Sequence, residues 1–456
     1  MSIHPQLTFL GATGTVTGSK YLLSAGSKKV LIDCGLFQGL KQLRLKNWDA
    51  PPVTPKHLDA VVLTHAHIDH SGYLPVLVKN GYAGRVYCTP ATLDLCRILL
   101  PDAGHLQEEE ARYANKHGFS KHRKALPLFT EKDALSALKH LAPVAFDAPV
   151  SLGSDLAFRL LPAGHILGAA IVAFEAHGTR LVFSGDLGRL HDPIMRAPAA
   201  PGAADFLVVE STYGNRLHAP DDAQKLLAGH LKRALGRGGV VVIPAFAVGR
   251  AQTLLHYLAQ LKRLKAIPDV PVFLNSPMAI DATRIYHNHR AEHRLTRDEC
   301  KAACTVAHMV NSADESRALN ERKGPMIIIS ASGMATGGRV LHHLKAFAPD
   351  ARNMVIFPGF QAAGTRGATM LGGAQAVKIH GDYVPVRAEV VGMDSLSAHA
   401  DYSEILTWLR TFPQPPKKTF ITHGEPAAAD ELRRRIQETL GWPCEIPNYL
   451  DTVTLR

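Results

Sequence analysis

Three histidines and a carboxylate fall within six positions in Thr64-His65-Ala66-His67-Ile68-Asp69-His70, and this stretch restricts the chain's fold and chemistry more than any other. The apolar run Leu58-Asp59-Ala60-Val61-Val62-Leu63 precedes it and reads as a buried strand, so the cluster lies where a strand ends and irregular chain begins. Residues two apart on extended backbone project to one side, which lets His65 and His67 grip one metal ion. Asp69 and His70 follow once the chain turns, placed to hold a second ion close by, as a two-metal hydrolase requires. The spacing differs from the His-Glu-x-x-His of helical zinc proteases and disfavours a protease. Any single one of the 24 histidines is ordinarily a surface or hydrogen-bonded core residue; the grouping carries the reading.

A chain of 456 residues suits two domains, or one large domain carrying an insertion. With 46% hydrophobic and 20% charged residues it reads as a soluble globular protein. The N-terminal Met1-Ser2-Ile3-His4-Pro5-Gln6 has no basic region followed by an apolar core, and no run of about 18 apolar residues occurs. A cytoplasmic enzyme without a membrane partner is the expectation. Six scattered cysteines form no C-x-x-C pair. Cys300 and Cys304 would meet on one face of a helix, but without a second cysteine pair a structural zinc is not expected, and reduced thiols are. A net charge of +11 and a pI near 9.3 suit a polyanionic partner.

Along the chain, Leu7 to Leu10, Tyr21 to Leu23 and Val30 to Asp33 read as strands around a glycine-rich segment from Gly11 to Gly18. That segment lacks the Gly-Lys-Ser/Thr ending of a P-loop, so an ATP site is not supported. Gly72 to Lys79 and Ala91 to Leu100 read as helices, and a separate charged helix begins near Glu108. The run Lys121-His122-Arg123-Lys124 reads as a solvated basic loop, and Thr130 with Asp133 opens a capped helix reaching Leu141. Strands return at Leu156 to Leu161, Ala169 to Phe174, Arg180 to Ser184 and Asp205 to Glu210. The following stretch alternates helix and strand over Asp221 to Leu235, Val240 to Ile243, Arg250 to Leu264, Val272 to Leu274, Met326 to Ile329, Arg339 to Phe347 and Met354 to Phe357, a pattern that argues for a small parallel α/β sheet.

The pattern His-x-His-x-Asp-His resembles the signature of the metallo-β-lactamase superfamily, whose αβ/βα sandwich is then the expected fold. Asp33 matches the first motif and by that resemblance orients the ligand loop, although a strand-end Asp capping a turn is the plain alternative. His165 in Pro162-Ala163-Gly164-His165 would complete the first metal's trio, and Asp186 in Ser184-Gly185-Asp186 suits a bridge between both ions. Glu210 within Glu-Ser-Thr-Tyr-Gly looks like motif A of the β-CASP subgroup, the nucleic-acid-processing branch. Ser397-Ala398-His399-Ala400-Asp401 resembles motif B, and Phe420-Ile421-Thr422-His423-Gly424-Glu425 resembles motif C. The implied division is a metallo-β-lactamase domain over residues 1–211 and 392–456, with an α/β β-CASP domain inserted at residues 212–391.

The resemblance makes His423 the last ligand, beside Asp69, His70 and bridging Asp186, and makes His399 a general acid held by Glu210. Segments Pro244 to Arg250, Ser330 to Met334 and Gly359 to Thr365 also look like β-CASP sequence. Arg250, Ser330, Ser332, Gly333, Met334, Arg339, Gly364 and Thr365 are therefore candidate substrate contacts. Residues 332–339 can offer amides to a phosphate, or their glycines can serve only tight turns. The order Thr365-Arg366-Gly367 departs from the family pattern, in which an Arg follows a further Gly.

Together these features imply a ribonuclease acting on single-stranded RNA through hydroxide activated by two zinc ions, with manganese as the alternative metal. A His at motif C goes with RNA enzymes of the group, and the chain resembles bacterial and archaeal RNA-degrading members and the nuclease subunit of the pre-mRNA 3′-end processing complex. Family analogy also implies a homodimer. Two rivals stay open: a DNA nuclease using the same chemistry, and a non-catalytic RNA-binding or scaffold subunit, against which all seven ligand positions are retained.

Overall fold

Strands such as Ala60–Val62 and Phe206–Glu210 are buried at every position, which requires cover on both faces of their sheets. The computed structural model describes residues 4–118, 123–218 and 222–456; Lys121 and His122 of the basic run, and Asp221, lie outside the described residues. The chain divides into two compact units, one formed by Met1–Leu217 with His399–Arg456 and the other by His218–Ala398. Each is an α/β structure.

In the first unit two seven-stranded sheets face each other. One runs in the order Thr452–Thr454, Gln6–Phe9, Tyr21–Ala25, Lys28–Ile32, Ala60–Val62, Arg85–Cys88, Leu141–Pro143; its first four strands pair antiparallel and its last four parallel. The other runs Cys444–Glu445, Lys418–Thr422, Phe206–Glu210, Thr179–Phe183, Ala170–Ala176, Leu156–Pro162, Val150–Gly153, with the parallel pairs first. Side chains from alternate positions of both sheets interlock: Phe9, Leu23 and Ile32 from one meet Phe158, Phe183 and Phe420 from the other. Helix Pro426–Leu440 turns Ala428, Ala429, Leu432 and Ile436 inward at helical spacing and packs on Lys418–Thr422.

In the second unit six parallel strands run in the order His308–Met309, Val272–Asn275, Met326–Ser330, Val240–Pro244, Met354–Phe357, Glu389–Gly392. Alternation within one strand serves two cores. Val241 and Ile243 join the core under helix Arg250–Arg263, while Val240 and Val242 join the one under helix Val340–Phe347.

Two local expectations are corrected. Residues 90–117 form one helix, Pro90–His117, rather than two, with Pro101 inside it. Proline removes one hydrogen bond and strains one turn, and the buried face carrying Leu95, Leu99, Leu100 and Ala111 outweighs that loss. The helix opened by the Thr130–Asp133 capping box stops at Leu138, because Leu141–Pro143 pairs with Arg85–Cys88 as an edge strand. The six cysteines are free, and no helix among the described residues is long and apolar enough to cross a membrane.

Phe158 is 2% exposed at the centre of the inter-sheet core, its ring 5.5 Å from both Tyr87 and Phe174. Phe158→Ala should cost about 3–5 kcal/mol of stability, read as a lower urea midpoint for unfolding of this unit.

Candidate active site

Strand direction decides where the polar residues gather. His65, Asp186, Glu210 and His423 come at the carboxyl ends of Ala60–Val62, Thr179–Phe183, Phe206–Glu210 and Lys418–Thr422, and His165 follows Leu156–Pro162. Parallel strands open their loops at one edge, as ligand sites of α/β sheets do. After His67 the short helix Ile68–Ser71 swings Asp69 and His70 round to a second position. Close backbone approach is needed here: a Cβ on Gly35 would lie 1.5 Å from the Asp69 carbonyl oxygen, and Gly164, before His165, sits at φ +73°.

Four buried or half-buried groups converge first. His67 Nδ1 lies 3.1 Å from His65 Nε2 and 3.3 Å from His165 Nε2, and Asp186 Oδ2 lies 3.5 and 3.6 Å from those two Nε2 atoms. Ligands about 2.0–2.1 Å from a tetrahedral ion stand about 3.3–3.4 Å apart, so these are the edges of a metal-sized tetrahedron. A second set adjoins it. His70 Nε2 lies 3.0 Å from His423 Nε2 and 3.2 Å from Asp186 Oδ1, while Asp69 Oδ2 is 3.4 Å from His423 Nε2. Asp186 thus turns one oxygen to each set.

Neighbouring side chains fix which nitrogen faces inward. His70 Nδ1 donates to Asp33 Oδ2 at 2.7 Å, His65 Nδ1 lies 3.1 Å from Thr64 Oγ1, and His423 Nδ1 lies 3.2 Å from Thr212 Oγ1. Asp33 is itself held by Thr64 N at 2.8 Å, Thr64 Oγ1 at 3.0 Å and Ser19 Oγ at 3.2 Å. This geometry gives Asp33 the orienting position rather than that of a turn cap. Thr64 and Thr212 escape sequence reasoning as site residues, although both stand inside the stretches that flag the site. Asp33 and His423 adopt φ +58° and +49°, left-handed values that non-glycine residues keep only where surroundings impose them.

The electrostatics call for cations. Burial drives His65 and His165 well below the ordinary imidazole range and His67 down to about 4, so all three are neutral, as metal ligands must be. Burial also works against charging His70, but Asp186, Asp33 and Asp69 outweigh it and draw its pKa well above the ordinary value. Burial alone would raise Asp69 and Asp186; nearby imidazoles, chiefly His70 for Asp69 and His423 for Asp186, hold both carboxyls below their usual range. A proton on His70 thus occupies a place where a cation's charge would act. The donor set fits metal binding.

His399 stands beside this centre. Its Nδ1 is 3.1 Å from both Glu210 oxygens and its Nε2 is 4.0 Å from Asp186 Oδ2. Glu210 is pinned by the backbone amides of Leu187 at 2.6 Å and Thr212 at 3.3 Å. Burial would lower the pKa of His399, but the charge and hydrogen bond of Glu210 prevail and hold it at about 8. Glu210 thus favours the protonated imidazole.

The candidate substrate residues lie in the second unit, on loops after Val240–Pro244, Met326–Ser330 and Met354–Phe357. Those loops meet: Gln361 Nε2 donates to Gly333 O at 3.2 Å, and a Cβ on Gly333 would lie 2.8 Å from Phe246 N. Several members are already engaged. Ser330 Oγ donates to Asn275 O, Arg339 donates to Asn275 Oδ1 and the carbonyls of Val310 and Asn311, and Thr365 caps helix Arg366–Leu371. Ser332 Oγ accepts from Thr336 N, Met334 O accepts from Gly367 N, Gly364 sits at φ +80°, and Arg250 is buried at the head of its helix. Arg366 donates to the carbonyls of Lys378 and Ala335, which ties it to loop structure.

Comparison with known proteins places three domain descriptions along the chain. A Beta-lactamase superfamily domain matches residues 28–234, a Beta-Casp domain 251–370 and a Zn-dependent metallo-hydrolase RNA specificity domain 383–447. The chain is similar to a Thermus thermophilus protein named Ribonuclease TTHA0252, 38% identical over 424 residues, 91% of this chain and 92% of that one. It is similar also to the Transcription termination factor FttA of Methanosarcina mazei, 32% identical over 475 residues, 99% of this chain and 71% of that one. A crystal structure of a protein of unknown function from Enterococcus faecalis shares the fold, with a TM-score of 0.56 at 14% identity, covering 99% of this chain and 100% of that one.

Replacing Asp33 by Asn leaves every ligand in place but removes the charge behind His70 and Thr64. Metal affinity should fall about 10–100-fold in a chelator competition titration, with the fold unchanged by circular dichroism.

Proposed function

Since the chain belongs to the β-CASP branch of the metallo-β-lactamase superfamily, we propose that it is a metal-dependent ribonuclease that hydrolyses phosphodiester bonds of single-stranded RNA. The observation that carries this reading is His399, an imidazole fixed at Nδ1 by a buried carboxylate, with its Nε2 4.0 Å from the carboxylate shared by the two ligand sets. Hydrolysis of a phosphodiester needs a proton for the departing sugar oxygen, and Nε2–H of His399 is the donor in reach of the centre. His65, His67 and His165 would hold one zinc ion, Asp69, His70 and His423 the other, and Asp186 would take part in both. Bound there, the ions would make water acidic enough to supply hydroxide near neutral pH and would draw charge from the phosphate oxygens.

Glu210 works through His399. It holds Nδ1–H, so the proton offered is the one on Nε2, and its charge keeps that proton available up to about pH 8. RNA as substrate is supported by the RNA specificity domain matched across residues 383–447, which contain His399 and His423, and by the Thermus relative's name. The imidazole-rich donors support zinc over manganese.

The test is cleavage of end-labelled single-stranded RNA and its DNA counterpart, with His399→Ala and a chelated sample alongside. RNA cleavage should fall about 10²–10⁴-fold in the variant and vanish on chelation. Absence of RNA cleavage by protein shown to carry two ions would overturn the reading, and preferential DNA cleavage would replace it with a DNA nuclease. Activity should decline as pH rises past about 8, where His399 loses its proton, and Glu210→Gln should shift that decline to lower pH.

A further inference from the structure

Outside this centre, and wholly within the His218–Ala398 unit, another group of metal-binding side chains comes together. Cys300 and Cys304 stand four apart on helix Arg297–Thr305 and so share one face. His287, one residue from the end of helix Pro277–Asn288, reaches the same point. One ligand atom from each of the three lies within 4.8 Å of the others, and Cys300 Sγ is 3.6 Å from His287 Nδ1. We propose that His287, Cys300 and Cys304 form a separate zinc site that clamps these two helices together.

Three observations carry the proposal. A tetrahedral zinc ion about 2.3 Å from sulfur and about 2.0–2.1 Å from nitrogen sets those two atoms about 3.6 Å apart, the separation found here. The donor set is chemically selective: two thiols and an imidazole favour zinc over magnesium, calcium or manganese, which prefer oxygen. The burial is graded, with Cys300 buried, Cys304 half-buried and His287 exposed, so an ion has a path in from solvent and water can complete its coordination. A lone cysteine pair argues against a zinc site when the chain is read as sequence; the fold supplies the missing ligand from the preceding helix.

Substituting cobalt for zinc separates this site from the catalytic centre, because only a sulfur ligand gives the near-ultraviolet thiolate-to-cobalt charge-transfer band, and the seven ligands of the other centre are imidazoles and carboxylates. The full chain, purified under reducing conditions and loaded with Co²⁺, should show that band and should bind one ion more than a Cys300→Ser/Cys304→Ser variant. His287→Ala, altered at an exposed position and so expected to fold, should weaken or abolish the band. Zinc should also slow modification of two of the six thiols by a thiol reagent. A wild-type protein with no charge-transfer band and the same metal content as the double variant would overturn the proposal. So would two thiols that become titratable only after reduction, since a disulfide would then occupy the place of the ion.

Discussion

The site depends on concentrating negative charge and lone pairs in a largely buried place. Asp33, Asp69 and Asp186 lie within reach of five imidazoles, three of which burial keeps neutral. Such a collection is costly to bury without counter-charge. The second layer of hydrogen bonds, Asp33 to Thr64 and His70, and Thr212 to His423, keeps the lone pairs aimed at common points instead of at one another's protons. Within that layer Asp33 serves His70 directly and His65 through Thr64.

Two chemically different jobs are thereby separated by only a few ångströms. The imidazoles of His65, His67, His70, His165 and His423 gather around Asp69 and Asp186, whereas His399 stands beside them with its Nδ1 on Glu210. Environment assigns the roles, since all are histidines. Glu210 is able to do this because two backbone amides already compensate its charge and fix its position.

Much of this was legible in the sequence. The stretch from His65 to His70 stands out as a polar cluster after an apolar run, while the family resemblance singles out His165, Asp186 and His423, and the fold brings all seven side chains together. Thr64 and Thr212 do not stand out, because a threonine beside a motif has no periodicity or spacing of its own. In the insert, the resemblance makes Ser330 and Arg339 candidate substrate contacts, and the fold uses both to tie loops together. Helices Arg297–Thr305 and Ala313–Glu321 are not singled out although Thr296 with Glu299 and Ser312 with Glu315 form capping boxes, because these short stretches are strongly polar and each buries only two side chains. The helix through Pro101 shows the opposite case, tertiary packing overriding a strong local signal.

The first unit is assembled from two separated lengths of chain, and that order in time matters during synthesis. His399, His423 and the strand Lys418–Thr422 follow the entire insert, and Thr452–Thr454 later still pairs with Gln6–Phe9. A nascent chain that has emerged only as far as Leu217 therefore carries His65, His67, His70, His165 and Asp186 of the cluster but neither His423 nor His399. It can be threaded through a ribosome, itself built of RNA, with its chemistry still incomplete.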